Sequence, residues 1–239
     1  MTMATELLYL DDAYLRSTAA VVRAVAGDRV ALDRTVLYPT GGGQPHDTGM
    51  LRGPAGSARV VDVRRDGAEV WHALEGTAPA VGDAAEVEVD WERRHRLMRT
   101  HTALHVLCGV VWNEWGVPVT GGNMEPLRAR MDFELDPVPP GFGPRVEEMV
   151  AAEIAADRPV EVTTIPRSEA VLDDALVRTK VSLVPESVTT IRVVDIVGLD
   201  KQADGGTHVR STAEVGAVRV VRTESKGRGN KRVRIEVVD

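Results

Sequence analysis

Cysteine is almost absent from this chain: the single residue at position 108 has no partner for an internal disulfide and cannot build a Cys-rich zinc module. A reducing cytoplasm is therefore the expected compartment. Long apolar runs are missing too. Met1 to Leu10 is followed at once by Asp11 and Asp12, without the apolar stretch and small-residue cleavage site of a secretory signal, and no run reaches membrane-span length. No low-complexity tract argues for disorder. Net positive charge is also lacking, since 29 Lys+Arg against 36 Asp+Glu leave −7. That balance speaks against a uniformly basic nucleic-acid binder, because counterion release needs cations facing phosphates. The cations are clustered, however. Arg93, Arg94, Arg96 and Arg99 stand together, and Lys226, Arg228, Lys231, Arg232 and Arg234 form a second group, so a net-acidic chain can still present local basic strips.

What is present reads as an ordinary globular chain of 239 residues, 43% hydrophobic and 27% charged, with a length that leans toward two domains. From Leu7 to Val89 short apolar runs alternate with turn residues. Val21 to Val25, Val30 to Leu32, Thr35 to Tyr38, Ala58 to Val63, Glu69 to His72 and Ala85 to Val89 are predicted strands, and a small β-barrel over residues 1–90 is the economical architecture. The period changes at Asp90, a candidate N-cap. Leu97, Met98, Ala103, Leu104, Leu107 and Val111 then recur at helical spacing, which predicts a helix from Trp91 to Trp115. Further on, Val117 to Met124 reads as a turn and Arg128 to Leu135 as a strand. Pro144 suits the first turn of a helix ending near Asp157, and a short helix is expected around Ser168 to Ala175. Strand signals return at Val160 to Ile165, Thr190 to Ile196, Gly216 to Thr223 and Arg232 to Val238. Residues 91–239 therefore form a mixed α+β domain.

His101 and His105 lie one turn apart on the predicted helix, so both imidazoles share a face and suit a single metal. By itself such a pair fits a half-buried surface equally well. The zinc-protease pattern requires glutamate directly after the first histidine; Thr102 stands there, which disfavours a protease. A second half-site is Asp204-Gly205-Gly206-Thr207-His208, whose glycines let the backbone turn tightly and bring a carboxylate and an imidazole together. Three histidines and one aspartate can then surround zinc. Gly41-Gly42-Gly43 lacks the Lys-Ser/Thr ending of a phosphate loop, which argues against nucleotide hydrolysis.

His-x-x-x-His followed about a hundred residues later by Gly-Gly-Thr-His-Val resembles the editing domain of alanyl-tRNA synthetases and of the AlaX proteins, the medium-length type in particular. The segments Tyr38-Pro-Thr-Gly-Gly-Gly-Gln-Pro45, Arg130-Met-Asp-Phe133, Ile191-Arg-Val-Val194, Asp200-Lys-Gln-Ala203 and Ser225-Lys-Gly-Arg-Gly-Asn-Lys-Arg232 extend the likeness over nearly the whole chain. The resemblance implies a small barrel followed by an α+β editing domain of the threonyl/alanyl-tRNA synthetase second-additional-domain type. In that family the two helical histidines, a cysteine and the last histidine bind zinc, and the cysteine aligns with Asp204. His101, His105, Asp204 and His208 are thus the expected metal-binding and catalytic set. Carboxylate in place of thiolate hardens the site and admits other divalent ions; Asp204 either ligates the metal or orients a water.

The resemblance further implies a translation-fidelity hydrolase that cleaves the ester of mischarged tRNA(Ala), with serine, or glycine by analogy, as the amino acid. Thr102, Thr120 and Thr35 are candidates for reading the serine hydroxyl, and the loop Gly41, Gly42, Gly43, Gln44 together with Gly205 and Gly206 is expected at the substrate. Arg93, Arg94, Arg96, Arg99, Lys226, Arg228, Lys231 and Arg232 are the expected contacts to acceptor-stem phosphates. Neither DNA nor a membrane is an expected partner, and the apolar helix face packs internally or across a dimer. Two rival readings are a tRNA-binding protein with a degenerate metal site and a metal hydrolase of small esters or amides on the same scaffold.

Overall fold

A computed structural model describes residues 4–170, 176, 189–227 and 229–238. The first half consists of β1 (Glu6–Leu7), β2 (Ser17–Ala26), β3 (Arg29–Leu32), β4 (Arg34–Thr35), β5 (Gly49–Gly53), β6 (Gly56–Asp66), β7 (Glu69–Gly76) and β8 (Ala84–Val89). Six of these strands close into a barrel in the order β2-β3-β7-β6-β5-β8. Alternating residues Val22, Leu32, Leu51, Val60, Val63, Val70 and Val87 point inward and form its core. Strand β5 carries too few apolar residues to be seen in the sequence. It is held by pairing on both sides, to β6 and to β8. Gly49 is what lets it in, because a Cβ there would lie 2.1 Å from the Glu88 carbonyl oxygen. The strand expected over Thr35 to Tyr38 ends at Thr35. Beyond it the Tyr38 N–H donates to the buried Asp47 carboxylate rather than to a neighbouring strand.

Helix α1 spans Trp91–Trp115, the limits expected from the periodicity. Asp90 caps it: its carboxylate accepts from the Arg93 N–H at 3.2 Å, the bond an N-cap side chain makes to the first orphaned donors. The chain divides into two compact units, Met1–His95 and Arg96–Asp239, so the division falls inside this helix.

The second unit continues with β9 (Val119–Glu125), β10 (Arg128–Phe133), α2 (Phe142–Ala155), β11 (Val160–Pro166), α3 (Arg167–Ala170), β12 (Thr190–Ile196), β13 (Asp200–Ala203), β14 (Ala217–Ser225) and β15 (Lys231–Val238). They form a four-stranded sheet, β14-β15-β10-β9, and a three-stranded sheet, β11-β12-β13. Val117 to Met124, expected as a turn, contributes β9. Its glycines sit on the edge of the larger sheet opposite Met131 and Asp132. The short helix expected around Ser168 to Ala175 is α3 as far as Ala170; residues 171–175 lie outside the described residues. Pro144 falls in the first turn of α2, where its missing N–H costs nothing. No helix among the described residues is long and apolar enough to cross a membrane.

Candidate metal centre

His101 and His105 project from one face of α1, and the loop after β13 brings Asp204 and His208 against them. One ligand atom from each of the four lies within 4.8 Å of the others. Ring centroids are 5.2 Å apart for His101 and His105, 4.3 Å for His101 and His208, and 4.7 Å for His105 and His208. His208 Nε2 is 3.0 Å from Asp204 Oδ2, and His101 Nε2 is 3.7 Å from Asp204 Oδ1. The three histidines are buried and Asp204 is half-buried.

Each outer contact fixes a ring. His105 Nδ1 donates to Asp200 Oδ2 at 3.0 Å, which turns Nε2 toward the centre. Gln202 Nε2 donates to the same Asp200 oxygen at 2.7 Å and lies 3.3 Å from Cys108 Sγ. Gly109, one turn beyond His105, makes this approach feasible: a Cβ there would meet Leu199 Cγ at 2.9 Å and Asp200 Cβ at 3.1 Å. Thr102 Oγ1 accepts from the Val209 N–H and lies 3.2 Å from His208 Nδ1. A hydroxyl both donates and accepts, so it serves either tautomer of His208. The Gly206 N–H donates to Asp204 Oδ2 at 2.6 Å. Main-chain bonds anchor the loop, with Asp204 N–H donating to the Arg192 carbonyl and the Arg192 guanidinium donating to the Asp204 carbonyl.

Burial lowers His101 to about 4, the nearby His105 and Arg192 cations add to this, and the Asp204 charge opposes it. His208 is pushed well below its ordinary value, by burial first and then by His101 and His105. His105 is the exception: burial pulls it down, but the hydrogen bond and charge of Asp200, aided by Asp204, outweigh burial and raise it. Burial favours the neutral form of Asp204, yet the surrounding imidazoles hold it well below the carboxylate range. Two neutral imidazoles and one carboxylate are therefore in their ligating forms at neutral pH. With Nδ1 of His105 and of His208 held by Asp200 and Thr102, the donor set fits a divalent cation that takes nitrogen and oxygen ligands.

Asp200 and Gln202 were not expected to contribute to the centre. They alternate along β13, just before Asp204, and that two-residue spacing is the sequence signal that places their two side chains on one side of the strand.

The other expected site residues divide. Gly205 and Gly206 lie in the ligand loop. Thr120 Oγ1 donates to Asn230 Oδ1 at 3.2 Å. Thr35 is committed elsewhere, its hydroxyl bonded to His72 Nε2 at 2.9 Å inside the barrel. Gly41 and Gln44 exchange main-chain hydrogen bonds across Gly42 and Gly43, whose φ values of 56° and 87° suit glycine; the Gln44 side chain is buried. Two arginines expected at phosphates are interior. Arg94 is fully buried, and its guanidinium donates to Asp47, to the Val36 carbonyl and to the Ala13 carbonyl. Arg99 is buried and donates to the carbonyls of Val215 and Val238. A guanidinium enclosed in this way has no path to a phosphate. Arg96 and Lys226 are exposed and Arg93 and Lys231 half-buried, Arg232 is held by Asp132, and Arg228 lies outside the described residues.

The profile of the family "Threonyl and Alanyl tRNA synthetase second additional domain" matches residues 191–234, and that of "tRNA synthetases class II (A)" matches residues 7–93. The alanyl-tRNA editing protein AlaX-M of Methanosarcina barkeri is 34% identical over 98% of this chain and 100% of its own length. The protein of the same name from Saccharolobus solfataricus is 35% identical over 96% of this chain and 97% of its own. The alanine–tRNA ligase of Pyrobaculum neutrophilum is 39% identical over 92% of this chain, which corresponds to 25% of the ligase.

Proposed function

Because the chain belongs to the AlaX-M alanyl-tRNA editing proteins, a family of aminoacyl-tRNA deacylases, we propose that it hydrolyses the ester of mischarged tRNA(Ala), Ser-tRNA(Ala) first and Gly-tRNA(Ala) second. The observation that carries this reading is the convergence of His101, His105, His208 and Asp204 within 4.8 Å, on a scaffold where Asp200 and Thr102 orient the rings. Zinc is the cation we propose, with other divalent ions admitted by the carboxylate at position 204. When bound, such a cation polarises an ester carbonyl and acidifies water, so no covalent enzyme intermediate is needed.

The protein's own groups hold and orient. His101 and His105 offer a rigid pair because they share one helix, and His208 completes the set from the loop. Asp204 stays anionic and accepts a hydrogen bond from a group placed against it. Discrimination against alanine follows if a buried hydrogen-bonding group pairs with the serine hydroxyl and is left unmatched when alanine enters. Thr120 is our candidate, since its hydroxyl is half-buried and bonded only to the Asn230 side chain among the described residues. The Thr102 hydroxyl is engaged with His208 and Val209, which makes it the weaker candidate.

The test is deacylation of Ser-tRNA(Ala) and Ala-tRNA(Ala), with and without a chelator, alongside a free serine ester. Rapid, chelator-sensitive release from Ser-tRNA(Ala), with Ala-tRNA(Ala) spared, is expected. Release from the free ester alone would assign the chain to small-ester hydrolysis, and tight tRNA binding without any release would make it a degenerate binder.

A further inference from the structure

The sheet β14-β15-β10-β9 is strongly two-faced. Met131, Phe133, Val233, Ile235 and Val237 are buried on one side, and the residues that alternate with them carry charge. Strand register places Arg222 opposite Arg234 and Arg234 opposite Arg130, with Asn123 opposite Arg130 on the edge strand. Three arginines thus stand in one row on adjacent strands, their backbones about 5 Å apart. Like charges directly opposite each other on a sheet face are destabilising, so folding alone selects against this row.

The flanking rows hold it in place without cancelling it. Glu224 accepts from Arg222 at 3.0 Å and from Arg234 at 3.1 Å. Asp132 accepts two bonds of 2.7 Å from Arg232 and one of 3.2 Å from Arg130. Two acids therefore serve four arginines. On the other side of the row, Arg128 pairs with Glu236 at 3.2 Å, and exposed Arg219 has no polar partner among the described residues. In a chain whose formal charge is −7, this face keeps a local excess of guanidinium, oriented by its own carboxylates.

We propose that the row Arg222, Arg234 and Arg130 is a docking track for the phosphodiester backbone of the tRNA. The assignment rests on the deacylase reading above and extends it to the partner's binding surface. The row is linear, its side chains are 71%, 42% and 31% exposed for Arg222, Arg234 and Arg130, and it repeats at strand spacing, which fits an extended polyanion. Guanidinium groups also match phosphate oxygens through paired N–H donors. No base recognition is involved, so the track sets register and affinity rather than amino-acid choice.

The test uses the full chain and measures the Kd for uncharged tRNA(Ala) as a function of salt. The variants are Arg222→Gln alone, the triple variant R130Q/R222Q/R234Q, and a charge-matched triple control, R23Q/R59Q/R65Q, on exposed barrel residues. Removing three phosphate contacts lowers the slope of log K against log salt by about 2 to 3, and weakens binding on the order of a hundredfold at 0.1 M salt. Arg222→Gln lowers the slope by about 0.8. The control leaves it unchanged, and Tm of the triple variant falls only modestly, because the ion pairs lost with Glu224 offset the relief of repulsion within the row. Deacylation of a serine ester of adenosine, which has no acceptor stem, is expected to be equal in wild type and the triple variant. An unchanged slope in the triple variant and in Arg222→Gln, with wild type still binding tRNA and deacylating it, overturns the track alone. Failure of wild type to act on Ser-tRNA(Ala) overturns the deacylase reading instead, and failure to bind tRNA overturns both.

Discussion

Replacing Asp200 by asparagine isolates one charge beside the candidate metal centre. The contacts to the carboxylate from His105 Nδ1 at 3.0 Å and from Gln202 Nε2 at 2.7 Å go to the same oxygen, so the amide oxygen of asparagine keeps these two and the shape is retained. What goes is the negative charge. A hydrogen bond to a charged acceptor contributes about 1.5 to 3 kcal/mol against about 1 for a neutral one, so the difference is on the order of 1 to 1.5 kcal/mol. That corresponds to about tenfold weaker cation binding. Asp200→Ala also frees the imidazole to rotate and belongs near the hundredfold end of the range for such outer partners. Zinc affinity, measured by competition with a chromophoric chelator at neutral pH, checks both numbers, and the His105 ring titration followed by NMR should move down in each variant. Asp200→Ala binding zinc within twofold of wild type would refute the view that Asp200 sets the orientation of His105.

Arg94→Ala leaves Asp47 as an uncompensated charge in a fully buried position, and the barrel is expected to lose about 3 to 5 kcal/mol in urea unfolding; the double variant Arg94→Met/Asp47→Leu should lose far less. His72 is buried in the barrel, between Thr35 Oγ1 and the Val30 carbonyl, and burial lowers it from 6.5 to about 4. Its folded pKa lies below its unfolded one, so the unfolded chain binds more protons between those values. Stability is then complete above pH 6.5 and falls as pH drops toward 4, by up to about 3 kcal/mol. His72→Gln should flatten the stability profile in that window, measured by urea midpoints from pH 7 to pH 4.

Where the apolar pattern is strong the sequence told the outcome. Helix α1 was legible from its Asp90 cap and its three-to-four spacing, and the convergence of the four candidate metal-centre residues from a helical pair plus a glycine-bearing loop. The elements that escaped, β5, β9 and β13, are held by pairing with neighbours far along the chain rather than by their own residues. Gly49 in β5 looks like a turn former until the opposing strand shows that the space is needed, and Gly121 and Gly122 in β9 are carried into the sheet by their pairing with β10. Arg94 and Arg99 failed for a different reason. Clustered arginines read as a solvated surface, yet Arg94 stands three and four positions before Leu97 and Met98, in phase with the buried face of the helix. That phase was visible, but finding its acceptors requires the fold: Asp47 and the carbonyls of Ala13 and Val36 lie far from Arg94 in sequence. Long polar side chains enter a core only where such partners converge.

The same distinction explains how position 204 carries a carboxylate without rebuilding the centre. The loop that bears it is anchored by Asp204 N–H to the Arg192 carbonyl at 3.1 Å, by the Arg192 guanidinium to the Asp204 carbonyl at 2.9 Å, and by Val209 N–H to Thr102 Oγ1 at 3.2 Å. None of these bonds involves the Asp204 side chain. His208 is therefore delivered to His101 and His105 by anchors on the loop's main chain, to which the Asp204 carboxylate adds its own contacts with the Gly206 N–H and His208 Nε2. In the metal centre proposed above, a change of donor at position 204 alters the hardness of the set while Asp200 and Thr102 still hold His105 and His208, which makes cation preference the property most exposed to change at this position.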